Sequence, residues 1–265
     1  MKEIQVIADE FRDKCIVIKY CIADIFSECG RMGYRLIRYP IGSDGVLGLA
    51  QIRDGEKIIF VNSSVRLARE IFSVAHEIGH ICLHVNDEQN IYVDNNFIDS
   101  DNDETEANYF AACLLMPEDK VSKYISLEMS DKQMDKWTAL DVAKIMTSFN
   151  VSFDMALYRL ENLNKISGVL KSRLETEKNE KKVSNLLKMI GGNSRLNLVT
   201  EEKHIPSEYM EWVVDNYNNR VIPLETLERS LGYFDVSMED ISDEIHLVLT
   251  EDNDNLEDLI GGMND

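Results

Sequence analysis

The sequence contains no apolar run long enough to span a bilayer, and its N-terminus, MKEIQVIADEFRDK, lacks the hydrophobic core of a secretory signal. It also lacks any CxxC pair, so its five cysteines suggest neither a disulfide framework nor a thiolate zinc site. Basic residues are scarce, because 28 Lys and Arg stand against 48 Asp and Glu and give a formal net charge of −20. We therefore expect a cytoplasmic protein that binds neither membrane nor nucleic acid directly.

The sequence does contain enough apolar material for a folded core. Hydrophobic residues make up 44% of its 265 positions, which is ordinary for a globular protein. Helical periodicity covers residues 3–29. Three candidate strands follow, at 34–39, 46–53 and 57–62. Asp54-Gly55 separates the last two, and this dipeptide is typical of a two-residue hairpin turn.

Helical patterns dominate the rest of the chain. The first helix predicted after the strands follows a cap at Ser63 or Ser64 and runs to about His84. Residues 169–190 are rich in Lys and Glu and are typical of a helical connector. The remaining helices are predicted at 103–117, 118–129, 138–149, 152–163, 206–217, 223–231 and 238–249.

The helix that ends near His84 contains an HExxH motif, which runs from His76 to His80. Residues four apart lie on one face of a helix, so the two histidines can direct imidazole nitrogens at a single ion. Glu77 lies close to that face and can reach a water on the ion without binding the ion itself. Catalytic zinc prefers such ligands with one position left open, and the motif therefore predicts a zinc site with Glu77 as the catalytic base.

A catalytic zinc needs a third protein ligand, and the next helix offers Glu104 near its start. Asn108 lies one turn further along, where it can orient a ligand histidine. We therefore predict that one zinc ion per chain binds His76, His80 and Glu104. Glu106 points elsewhere on the helix and is the less suitable ligand. The carboxylates that remain as alternatives lie in the preceding loop: Asp94, Asp99 and Asp101.

Three segments resemble the ImmA/IrrE family of metallopeptidases: FSVAHEIGHICLH at 72–84, ETEANYFAACLLMP at 104–117 and SFNVSFDMALYRLENL at 148–163. The resemblance implies a gluzincin-like site with the three ligands named above and Glu77 as the base. Asn108 departs from the wider gluzincin pattern, in which many relatives outside this family carry Asp. The resemblance further implies a zinc endopeptidase that cleaves a protein partner, a helix-turn-helix repressor of a mobile element or stress operon.

The predicted elements give an α+β fold that is mostly helical. A small antiparallel sheet or hairpin is expected to pack on the HExxH helix, and a helical C-terminal region follows. We expect a zinc peptidase domain over 1–168, a charged helical connector over 169–199 and a small acidic helical region over 200–265. The last region is expected to recognise the substrate or to restrain the peptidase.

Two other functions are compatible with the sequence. Residues 138–163 have helix-turn-helix character, which suits a DNA-binding regulator with a vestigial metal site. The second helix of this segment, however, carries Asp154 and Glu161 against a single Arg159, whereas recognition helices usually present several basic or amide side chains. The other alternative is a regulator that binds and sequesters a repressor without cleaving it.

The sequence offers several candidates for the residues that contact the substrate. The oxyanion formed during peptide hydrolysis needs a hydrogen-bond donor, and the candidates are Tyr92, Tyr109, Tyr158 and His84. His84 lies one turn beyond His80, and we expect it to support the site, because a fourth protein ligand would displace the catalytic water. A substrate peptide can add as a strand to an exposed edge of the 46–62 hairpin, unless that hairpin is purely structural.

Overall fold

The computed structural model describes residues 1–84, the backbone of 91–94, and residues 102–246. The chain divides into two compact units, Met1–His204 and Ile205–Asp265. Within the described ranges, none of the helices combines the length and the hydropathy that a membrane span requires. The functional division expected at residues 168 and 199 stays a prediction.

Helices and short strands alternate in the first half of the larger unit, and helices alone form its second half. The elements up to the HExxH helix are α1 (Lys2–Asp13), β1 (Val17–Ile18), β2 (Cys21–Ile22), α2 (Ile25–Arg31), β3 (Tyr34–Tyr39), β4 (Gly48–Arg53), β5 (Glu56–Asn62) and α3 (Leu67–Leu83). Those that follow are β6 (Ile91–Asp94), α4 (Asn102–Leu115), α5 (Glu118–Glu128), α6 (Ala139–Phe149), α7 (Phe153–Asn162), α8 (Gly168–Lys181) and α9 (Val183–Ile190). The mostly helical α+β fold is therefore confirmed.

The sheet contains four strands in the order β3-β5-β4-β6. Strands β4 and β5 form the predicted hairpin, and Asp54 and Gly55 both have positive φ, 52° and 78°, as a two-residue turn of this kind requires. The sheet is mixed, because β3 runs parallel to β5. Since β5 pairs with β3 and β4 pairs with β6, the hairpin does not offer the exposed edge expected for an added peptide strand, and that expectation is wrong.

The helical periodicity over residues 3–29 corresponds to two helices, because the chain turns between them. Helix α1 ends at Asp13, and a small hairpin of β1 and β2 follows, with Lys19 in its turn at a φ of 56°. Asp24 then caps α2 by accepting hydrogen bonds from the backbone N–H groups of Phe26 and Ser27. The apolar residues that extended the helical pattern, Ile18 and Ile22, lie on the two short strands instead.

Helix α3 begins later than predicted and without a side-chain cap. The N–H of Leu67, in its first turn, donates to the backbone oxygen of Leu198 at 2.9 Å, so a distant segment satisfies the helix terminus. Ser63 Oγ donates instead to the backbone oxygen of Glu202 at 2.7 Å, and Ser64 Oγ accepts from Gly42 N. Neither predicted serine therefore acts as the cap.

Helix α3 lies between the sheet and α4, and 12 of its 17 residues are buried. The predicted connector forms two helices, because Lys182 has a φ of 62° and separates α8 from α9. These two helices pack on α6 and α7, and they bury Leu174, Leu186 and Leu187 completely. Helix α3, which carries the HExxH motif, is therefore held in place by apolar packing within a single core.

The smaller unit contains α10 (Ser207–Asn218) and α11 (Leu224–Gly232) around a small core of its own. The helix predicted over 238–249 is wrong for residues 238–246, which form turns. One of these turns is closed by Asp240, whose carboxylate accepts hydrogen bonds from the backbone N–H and the hydroxyl of Ser237 at 2.8 and 2.6 Å. The remainder of that predicted helix lies outside the described residues.

Candidate metal centre

The close approach of α3 and α4 depends on a glycine inside the HExxH motif. An ideal Cβ on Gly79 would lie 3.1 Å from the Phe110 ring and 3.2 Å from the Ala107 Cα, so only a residue without a side chain fits comfortably. Ala107 lies nearly one turn beyond Glu104 on α4. The contact therefore brings Glu104 beside the histidines that flank Gly79.

His76, His80 and Glu104 form a cluster in which the nitrogen and oxygen atoms converge. The Nε2 atoms of the two histidines are 3.0 Å apart. The Glu104 carboxylate reaches both rings, with Oε2 at 3.2 Å from His76 Nε2 and Oε1 at 3.2 Å from His80 Nε2. In the part of the chain that the structure describes, this is the group of three His, Cys, Asp or Glu residues close enough to hold one metal ion.

The spacing of these atoms fits a tetrahedral zinc ion. Zinc binds imidazole nitrogen and carboxylate oxygen at about 2.0–2.2 Å, so neighbouring tetrahedral ligand atoms lie about 3.3 Å apart. The separations of 3.0 and 3.2 Å in the cluster are close to that value. Both histidines are buried, and the Glu104 side chain is 21% exposed, so the cluster has one side toward solvent where water or substrate can enter.

The protonation states of the cluster also suit a metal site. Burial, together with the neighbouring His76, lowers the pKa of His80 to about 3, so its imidazole is neutral at physiological pH. The interaction of the Glu104 carboxylate with His76 is the largest cause of the lowered pKa of Glu104, whose carboxylate is therefore ionised. Neutral imidazole and charged carboxylate are the forms that bind divalent metal ions.

Asn108 contacts His76 on the side of the imidazole ring away from the cluster. Its Oδ1 lies 3.1 Å from His76 Nδ1, and it can accept a hydrogen bond from that nitrogen. A proton on Nδ1 leaves the lone pair of the ring on Nε2, which faces His80 and Glu104. The geometry is the one that the proposed orienting role of Asn108 requires.

Glu77 is fully buried between α3 and the sheet. Its carboxylate lies against the backbone of Gly48 at the start of β4. Because Glu77 follows His76 directly, a carboxylate, two imidazoles and a second carboxylate from α4 share one small region. Such a region can bind a metal ion and, beside it, move a proton.

Comparison with known proteins supports the same chemistry. The IrrE N-terminal-like domain of a metallopeptidase family matches residues 29–161, half of the chain, and this range includes the whole cluster. This chain belongs to the ImmA/IrrE family. It is also 32% identical over 85 residues to a Bacillus phage phi105 protein named "Uncharacterized immunity region protein 2". That match covers 32% of this chain and 54% of the phage protein, so the chain spans about half the length of this curated relative.

His84 joins the two motif-bearing helices of this ImmA/IrrE protein. It follows the last turn of α3, and its Nε2 lies 3.1 Å from the backbone oxygen of Asp103 at the start of α4. This contact favours the expected supporting role, since the residues that converge at the cluster are His76, His80 and Glu104. Glu106 is not among the converging residues: its Oε1 accepts a hydrogen bond from Asn102 at 3.0 Å, and its Oε2 lies 3.9 Å from His84 Nε2.

The candidate oxyanion-stabilising tyrosines lie in different surroundings. Tyr109 faces the Arg159 guanidinium, 5.8 Å from its ring centre, and burial raises the pKa of its hydroxyl. Tyr158 is 48% exposed and lines a cavity next to the cluster, so it is the better placed to meet a substrate. The side chains of the remaining candidate ligands and oxyanion donors lie outside the described residues: Tyr92 and Asp94, whose backbone belongs to β6, and Asp99 and Asp101.

The cavity that Tyr158 lines has a volume of about 620 Å³ and was not predicted from the sequence. Phe72 and Asn108, which both contact His76, form the wall nearest the cluster. Its lining also includes apolar side chains from α7 and two arginines at the start of α3, among them Phe153, Met155, Arg66 and Arg69. Phe72 lies one helical turn before His76, and this spacing is the sequence signal that could have indicated a cavity beside the metal cluster.

Removing the Asn108 side chain should weaken zinc binding while the fold is kept. We expect Asn108→Ala to lower zinc affinity about 10- to 100-fold, because His76 loses the partner that fixes its ring orientation. Competition with a chromophoric zinc chelator measures this change. The matched control is Asn102→Ala on the exposed first turn of the same helix, which should bind zinc as the unmodified chain does. Equal affinity in both variants would contradict the orienting role.

Proposed function

We propose that this protein is a zinc-dependent endopeptidase in which His76, His80 and Glu104 hold the metal ion and Glu77 is the general base. The observation that carries the proposal is the convergence of three ligand side chains from two helices, with polar atoms 3.0 and 3.2 Å apart, next to the fully buried carboxylate of Glu77. Membership of the ImmA/IrrE family supports it.

Each residue has a distinct task in the proposed hydrolysis. Zinc bound at the cluster supplies Lewis acidity, which polarises the scissile carbonyl and lowers the pKa of water toward about 7. Glu77 accepts a proton from the attacking water on its carboxylate and delivers it to the leaving amine nitrogen. Asn108 keeps the proton of His76 on Nδ1, and the surrounding packing of α3 and α4 prevents the three ligands from separating.

We further propose that the substrate is a protein, a DNA-binding repressor of a mobile element. The phage relative is named for an immunity region, and this supports a link to the control of a mobile element. The net charge of −20 favours a basic partner, because opposite charges steer association. A DNA-binding repressor presents a basic surface to its operator.

Direct DNA binding by this chain is the weaker alternative, because the helix-turn-helix segment has no basic face. Arg159, the basic residue of α7, is 1% exposed. Its Nε donates to the backbone oxygen of Met116 at 2.9 Å, and its Nη2 contacts Cys113 Sγ. The exposed positions of α7 include Asp154, whose carboxylate is paired with Lys178 from α8. Helices α8 and α9 pack against this segment, which further disfavours insertion into a DNA groove.

Incubation with a candidate DNA-binding repressor tests the proposal and separates cleavage from sequestration. We expect two repressor fragments when zinc is present and an intact repressor when a chelator removes the metal. Mass spectrometry of the fragments identifies the cleaved bond. A stable complex with an intact repressor under both conditions would instead support the sequestering regulator. An operator gel shift by this protein alone would support the DNA-binding alternative.

A further inference from the structure

Gly48 occupies the point where the sheet comes closest to the Glu77 side chain. It is buried at the start of β4, and an ideal Cβ built on it would lie 2.8 Å from Glu77 Cδ and 3.0 Å from Cγ, and closer still to Oε1. Real Cβ atoms do not approach other atoms so closely. The φ of Gly48 is not in the left-handed region, so space and not backbone conformation requires glycine here.

Strand β4 cannot easily move away to make room for a side chain. Gly48 is paired with Val61 on β5 and with the backbone of Asp94 on β6, so it has a neighbouring strand on each side. The preceding residue is held as well, because the backbone oxygen of Leu47 accepts a hydrogen bond from Asn62 N at 3.0 Å. A Cβ at position 48 would therefore displace the end of the Glu77 side chain rather than the strand.

We propose that Gly48 is a positioning residue for Glu77, and this inference rests on the proposed function of Glu77 as the general base. The missing side chain leaves the carboxylate a place against the backbone of β4. Any larger residue pushes the carboxylate out of that place while the ligands His76, His80 and Glu104, which have other neighbours, keep theirs. A substitution at Gly48 therefore impairs proton transfer and spares zinc binding.

The other glycines of this unit provide matched controls. Gly79 also lies in a crowded place, but its neighbours are Phe110 and Ala107 on α4 and not Glu77. Gly30 lies on α2 with open space where its Cβ would be. Substitutions at Gly48, Gly79 and Gly30 therefore represent three cases in turn: a clash with Glu77, a clash with the core, and no clash.

A double-mutant cycle on the melting temperature of the metal-free protein tests the contact without any need for activity. We expect Gly48→Ala to lower the melting temperature by several degrees in the unmodified chain and to have no such effect in a Glu77→Ala background. Gly79→Ala should lower it equally in both backgrounds. The same loss from Gly48→Ala with and without the Glu77 side chain would overturn the inference.

The kinetics of repressor cleavage test whether Gly48 positions Glu77 for catalysis. We expect Gly48→Ala to lower kcat about 100-fold or more, as loss of general base catalysis does, with KM and bound zinc unchanged. In a Glu77→Gln background the same substitution should lower the residual rate no further, and Gly30→Ala should leave kcat as it is. Full kcat in Gly48→Ala would overturn the inference. If the unmodified chain cleaves nothing, the proposed function fails, whereas the melting cycle still decides whether Gly48 sets the place of Glu77.

Discussion

Glu77→Gln is expected to abolish repressor cleavage while the chain still binds about one zinc ion. Glutamine has the same shape as glutamate, but its amide does not accept a proton from water. Loss of a general base typically costs about 10²- to 10⁴-fold in rate. Since Glu77 is not among the atoms that converge at the cluster, the metal ligands keep their positions.

Two measurements on the same preparation check this expectation. Elemental analysis gives the zinc content, and time courses of fragment formation give the rate. Glu106→Gln is the matched control, because this glutamate lies on α4 and interacts with Asn102. Unchanged cleavage by Glu77→Gln would exclude Glu77 as the base, and loss of zinc from this variant would place Glu77 among the ligands.

His80→Ala is expected to remove zinc from the chain and to abolish the stabilisation that zinc provides. A ligand that binds only the folded state at 100 times its dissociation constant adds about 2.7 kcal/mol to the free energy of unfolding. The unmodified chain should therefore melt at a higher temperature when zinc is added. The variant should not respond, because two protein ligands do not hold the ion firmly.

Thermal unfolding with and without added zinc measures the second expectation directly. The matched control is His246→Ala, which changes an exposed histidine of the smaller unit and should leave the zinc response intact. A zinc-dependent rise in melting temperature that persists in His80→Ala would show that the ion binds elsewhere. This outcome would remove the basis of the proposed peptidase.

Local patterns predicted the elements of this fold well wherever the interactions that form an element lie within it. The Asp54-Gly55 turn is an example, because both residues adopt the positive φ that this dipeptide favours. The capping box at the start of α6, formed by Thr138 and Asp141, is another local device within a correctly predicted helix. Such features need no information about distant parts of the chain.

Two of the wrong predictions occur where distant segments decide the local structure. Ser63 or Ser64 was expected to cap α3 from nearby. Instead, the backbone oxygen of Leu198 accepts the hydrogen bond from the N–H of Leu67 at the start of the helix. The exposed hairpin edge does not exist, because β3 and β6 pair with the two hairpin strands. In both cases backbone groups found partners far away in sequence, and no local pattern contains that information.

The sequence by itself determined that His76, Glu77 and His80 lie on one helix and that the two imidazoles share a face, because the helical repeat fixes these relations. It also indicated the ImmA/IrrE family. Only the tertiary structure brought Glu104 to 3.2 Å from both histidines and the backbone of β4 against Glu77. These distances depend on how closely helices and sheet pack, and that packing is decided by side-chain volume at contacts between residues far apart in the chain.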